Sequence, residues 1–153
     1  MIDLQYRWNE ETNTAIVSCE TLNGEILSAS AICHPDDADM CSRQTGNIIA
    51  EFRLLIKCHQ YEKNNILRPQ LKILYHLKSI YERDPNYNEY SYENKMLRKQ
   101  IRIVEKEIED TKEDIENIRK ELKDFIDCKD SFYRKVRKHR GQNKLNNNKE
   151  ISN

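Results

Sequence analysis

Three glycines and three prolines among 153 residues leave few places for tight turns or helix breaks. With 37% hydrophobic and 34% charged residues, that scarcity favours long solvated helices with narrow apolar stripes over a large compact core. The length suits one domain, or one small domain with a helical extension. No apolar run approaches the roughly 20 residues needed to span a bilayer. The opening MIDLQYRWNEE lacks the basic-then-apolar order of a signal peptide, so the expectation is a cytoplasmic protein. No C-x-x-C pair occurs. The five cysteines, Cys19, Cys33, Cys41, Cys58 and Cys128, are odd in number and irregular in spacing, which argues for reduced thiols rather than a disulfide framework. There is also no G-x-S-x-G, no P-loop and no H-E-x-x-H. Nothing marks a nucleophile, so the expectation is a protein that is not an enzyme.

Net charge is zero but unevenly spread. Residues 1–40 carry eight acids and one base, whereas residues 129–153 carry eight bases and two acids. An acidic front section argues against a dedicated nucleic-acid binder, which usually presents a net basic domain.

Periodicity divides the chain. Ile2, Leu4, Tyr6 and Trp8 alternate at period two, as do Ala15, Val17 and Cys19. Asn23-Gly24 separates two β-prone runs and predicts a type I′ hairpin turn, which needs positive φ at both residues. A second turn is expected near residues 9–13. From Ser42 the period changes: Ile48, Ile49, Phe52, Leu55, Ile56 and His59 share a helical face, and Leu71, Leu74, Leu77 and Tyr81 resume it. Pro69 implies a kink or a break, and the helix should end before Pro85. After the polar, tyrosine-rich stretch 84–92, with Ser91 as a cap, comes a seam. Leu97, Ile101, Val104, Ile108, Thr111, Ile115, Ile118, Leu122 and Phe125 repeat at 4-3 spacing, the a/d pattern of a coiled coil. Some 45 helical residues would reach roughly 70 Å. Such a seam needs cover, part from the helices of 42–83 and the rest from a second copy of the chain.

The expected fold is therefore α+β: an N-terminal three-stranded antiparallel meander packed on a helix, then long antiparallel helices with a coiled-coil-like seam. Its parts would be 1–83 (meander and covering helix), 84–140 (loop and long heptad helix) and 141–153, a disordered polar tail after a Gly141 cap.

Four stretches carry candidate chemistry. ICHPDDADMCSRQTG, residues 32–46, gathers two cysteines, a histidine and three aspartates. Adjacent Cys33 and His34 would point to opposite faces of a strand, and Cys41 completes no zinc spacing, so no metal site is expected. Pro35 ends strand pairing, while Asp36, Asp37 and Asp39 suit a helix N-terminus that Ser42 or Asp39 caps. The stretch reads as a connection between sheet and helix, with Gly46 letting the two backbones approach. A Cys–His nucleophilic pair is conceivable in it, but no cysteine is marked as activated. NYNEYSYENKMLRKQIR, residues 86–102, suits a nucleotide better. Tyr87, Tyr90 and Tyr92 can stack on a base and Asn94 can bond base edges. Lys95, Arg98, Lys99 and Arg102 can pair with phosphates, beside a helix N-terminus. Arg53, Lys57, Arg68 and Arg83 are secondary candidates. The basic run FYRKVRKHR, 132–140, could neutralise phosphates, but it also complements a helix C-terminus, and that second reading is preferred.

CHPDD, the following Thr45-Gly46, RPQLK (68–72), SYENKMLRKQIR (91–102) and DFIDCKDSFYRKVR (124–137) occur in an order that resembles a group of small phage and prophage proteins described as having a double-stranded-RNA-binding-domain-like fold. Within that group the chain is most similar to the type-one phage Thoeris anti-defence sponge family, over about residues 1–140. The resemblance implies a non-enzymatic protein without a cofactor that sequesters a cyclic ADP-ribose isomer made by a TIR enzyme. Some members also bind cyclic oligonucleotides. It further implies a homodimer or higher homo-oligomer in the cytoplasm of an infected or lysogenic bacterium. Two alternatives are an inhibitor that docks on a host defence protein through its acidic surface, and a double-stranded-RNA-binding module.

Overall fold

The computed structural model describes residues 3–37 and 40–151; Ile2, expected in the first strand, and Asp39, expected as a helix cap, lie outside them. The architecture is α+β, as the periodicities indicate. Three strands, β1 (Gln5–Asn9), β2 (Thr14–Glu20) and β3 (Ile26–Ile32), form an antiparallel meander in chain order. A 3-10 turn at Pro35–Asp37 leads to helix α1 (Arg43–Tyr61). A π-helical segment, Glu62–Leu67, joins it to α2 (Arg68–Glu82). The last helix, α3, runs from Tyr92 to Ile151.

The chain divides into two compact units, residues 1–54 with 119–153, and residues 55–118. The division passes through α1 and α3 and not through the 84–92 loop, because each helix packs different neighbours along its length.

In the first unit, Ala15 faces Ala31, Val17 faces Ala29 and Cys19 faces Leu27 across β2 and β3. Ala15, Val17, Cys19, Ala29 and Ala31 are buried, so one sheet face is apolar with period two. Its small side chains admit α1, whose Ile49, Ala50 and Leu54 are buried. Phe52 of α1 meets Phe125 of α3 with ring centroids 6.2 Å apart. The hairpin between β2 and β3 departs from the type I′ expectation: of its central residues only Gly24 has positive φ. Thr21 N–H donates to Glu25 and Gly24 N–H to Thr21, closing a three-residue loop with a left-handed glycine at its end.

In the second unit, Leu67, Val104 and Ile108 form a buried cluster with Leu71 and Leu74 against it. The seam positions Leu97, Ile101, Val104, Ile108, Thr111 and Ile115 are all buried within a single chain. Over this length the second copy expected from the heptads is not needed to cover them. Pro69 neither breaks nor ends the helix. Tyr61, Leu67 and Arg68 all keep right-handed helical φ and ψ. The wider π turns accommodate a proline that lacks an N–H and crowds the preceding turn.

Two further expectations are corrected. Gly141 does not cap α3, and residues 141–151 are not a disordered tail: they continue the helix, although nothing packs where a Gly141 Cβ would be. Extending an existing helix costs only the propensity of each added residue, whereas starting one is costly. Cys33 and Cys41, expected as separate reduced thiols, are joined as a disulfide with Cα atoms 6.2 Å apart. Spacing along the chain could not reveal this, because the intervening 3-10 turn folds the ends together.

Candidate functional site

The tyrosine-rich loop belongs to the second unit and is built from local hydrogen bonds. Arg83 closes α2, its N–H donating to Ile80. Asp84 and Asn88 each start an Asx turn: their Oδ1 atoms accept the N–H groups of Asn86 and Tyr90, both at 2.9 Å. Ser91 caps α3 as expected, Oγ accepting the Asn94 N–H at 3.2 Å. Two side chains of α3 then reach back. Asn94 Nδ2 donates to the Asn88 carbonyl at 2.6 Å, and the Arg98 guanidinium donates to the Glu89 carbonyl. Residues four apart share a helix face, and their side chains lean toward the N-terminus, so Asn94 and Arg98 both meet the loop that precedes them.

Two residues expected to hold a ligand thus hold the loop. The rings they help present are open to solvent: Tyr87 is 39%, Tyr90 71% and Tyr92 73% exposed. Arg83 and Arg102 are exposed at the two ends of this region, along with Lys95 and Lys99. The arrangement can stack a base on an ordered aromatic surface and pair phosphates with flanking cations. Nearby, the Tyr75 hydroxyl donates to Glu105, and that hydrogen bond raises the phenol above its usual range. Arg53 is not part of this region. It lies on α1 in the first unit, where Nη1 donates to the Ser30 carbonyl at 2.6 Å.

The first unit holds a cavity that the sequence did not disclose, of about 40 Å³, lined among others by Trp8, Cys33, His34, Asp37, Cys41 and Tyr133. It has room for roughly three waters, far short of the roughly 300 Å³ at which ligand pockets begin. Asp37, 8% exposed, is ion-paired with Arg137, and Tyr133 Oη donates to the Met40 carbonyl at 3.2 Å. The basic run 132–140 therefore does not serve to complement a helix end. The helix continues to Ile151, and the dipole effect fades within the last turn. Only the clustering of residues 32–46 hinted at a special place here; Tyr133 and Arg137 lie about 100 residues away in sequence. Among the described residues, no group of three or more His, Cys, Asp or Glu side chains could hold a metal.

No protein-family model matches the chain, and no match was found among curated proteins or solved structures.

Proposed function

We propose that the protein is a non-catalytic binder of a phosphate-bearing cyclic nucleotide, and that it sequesters a cyclic ADP-ribose isomer as the sponge family it resembles does. The observation that supports this reading is the ordered loop 84–91, fastened by Asn94 and Arg98, which presents Tyr87 and Tyr90 between Arg83 and Arg102. Sequestration requires affinity and copy number but no acid, base or nucleophile. An ordered aromatic surface contributes affinity because less freedom is lost on binding. Tyr87 or Tyr90 stacks on the base, and Arg102 and Arg83 meet the pyrophosphate. Asn94 and Arg98 act as positioning residues.

Titration calorimetry with a panel of cyclic ADP-ribose isomers and cyclic oligonucleotides tests this. At least one ligand should bind. Tyr90→Ala should then weaken it by about 1–3 kcal/mol, the usual worth of one stacked base. Arg102→Ala should weaken it and reduce its salt dependence. No heat from any member of the panel would sink the proposal, and salt-dependent binding of double-stranded RNA in its place would support the RNA-binding alternative.

A further inference from the structure

We propose that Cys33 and Cys41 form a reversible redox clasp, closed by exchange with a low-molecular-weight disulfide such as oxidised glutathione, that fastens α3 to the β3–α1 connection. Three observations in the first unit meet there. The two cysteines are bonded across a sequence separation of 8. The segment they enclose supplies both anchors for the far part of α3: the Asp37 carboxylate that pairs with Arg137, and the Met40 carbonyl that accepts the Tyr133 hydroxyl. Tyr133 is only 6% exposed, whereas its neighbours Phe132 and Arg134 are exposed. Closing the 33–41 segment restricts it to fewer conformations and holds both anchors in place. Opening it frees them.

The exchange balances without a metal. One protein thiolate attacks the small disulfide, forming a mixed disulfide and expelling one small thiolate. The second protein thiolate attacks the protein sulfur of that bond and expels the other. The protein loses two protons and two electrons, and the small disulfide leaves as two thiols. Two reduced small thiols reverse the sequence. In a compartment that keeps thiols reduced, a bond of this kind cycles and is not a permanent staple.

Trp8, the single tryptophan, lines that cavity too and reports on the bond. The full-length protein is equilibrated with reduced or oxidised glutathione. Oxidation should lower the denatured thiol count from five to three, and peptide mapping should show the lost pair to be Cys33 and Cys41. Trp8 emission should shift. Amide hydrogen exchange over residues 129–140 should be slower in the oxidised protein than in the reduced one. Cys33→Ser and Cys41→Ser should each abolish all these responses. Arg137→Gln should still form the bond, but with a smaller gain in protection. The wild-type comparison needs no variant to fold. Five thiols remaining after oxidation, a different pair, or unchanged exchange over 129–140 despite a closed bond would each overturn the proposal.

Discussion

Gly46 has no room for a methyl group. A Cβ there would lie 2.9 Å from the Ala15 Cβ and 3.4 Å from Trp8 Cζ3, and the alanine cannot rotate away. Gly46→Ala gains roughly 1 kcal/mol of helix propensity but overpacks the sheet–helix contact, which typically costs about 1–3 kcal/mol. Urea unfolding should therefore show a net loss, with an unchanged slope. Tyr75 poses a pH question. Its phenol is raised by the hydrogen bond to Glu105, so the bond's contribution is present below pH about 10 and fades as pH rises through the folded value. Tyr75→Phe should lower the denaturant midpoint near neutral pH, and the gap to wild type should close in alkaline solution. A gap that persists would mean that the ring's packing, not the hydroxyl, carries the effect. Tyr6, raised in the same way by a hydrogen bond to Glu51, contributes its own alkaline loss in the first unit.

Among the elements, α3 combines two regimes. From Leu97 to Ile115 every seam position is buried, and stability there comes from packing. From residue 141 to 149 every residue is exposed, and only helix propagation holds the backbone. Native-state hydrogen exchange should therefore be slowest near Val104 and Ile108 and fastest over 141–151. Gly141→Ala should increase the helical circular dichroism while leaving the denaturant midpoint in place, since nothing packs at that position. A shifted midpoint would show that this part of the helix is coupled to the core. The heptad pattern, the Ser91 cap and the end of α2 before Pro85 were all readable from the chain, because each depends on neighbours within a turn or two. The π segment was not. It reflects packing that keeps Leu67 buried on one side of Pro69 and Leu71 and Leu74 against the core on the other.

For the molecule as a whole, charge and apolar surface bear on assembly. The α3 seam from Leu97 to Ile115 is covered within the chain, but α2 leaves Ile73, Leu77 and Ile80 exposed, with Ile66 just before them. These positions recur at 7-4-3 spacing, so they share one helix face. The homo-oligomer that the family resemblance implies is better placed on this face than on the buried part of the seam. Light scattering should find a dimer or larger species in the wild type and a smaller one in Ile73→Glu. A monomeric wild type would overturn that expectation while leaving ligand binding to its own test.

The meander and the seam were legible in the amino-acid order, since alternation at 2 and at 3.6 residues is a local consequence of burying one side of a strand or helix. The helical face read for residues 48–81 was legible only in part: Ile49 is buried, but Leu55, Leu77 and Tyr81 are exposed, and Ala50 and Leu54 are buried in their place on α1. The candidate site was legible only in part. Tyr87, Tyr90 and Arg102 stand exposed around the loop, but no pattern in SYENKMLRKQIR shows that Asn94 and Arg98 are engaged by the backbone of Asn88 and Glu89. The cluster at residues 32–46 was visible as composition alone. Its pairing of Cys33 with Cys41, and of Asp37 with Arg137 across 100 residues, depends on where three separate elements come to rest. Contacts over such separations are set by the packing of the folded chain, and periodicity carries no record of them.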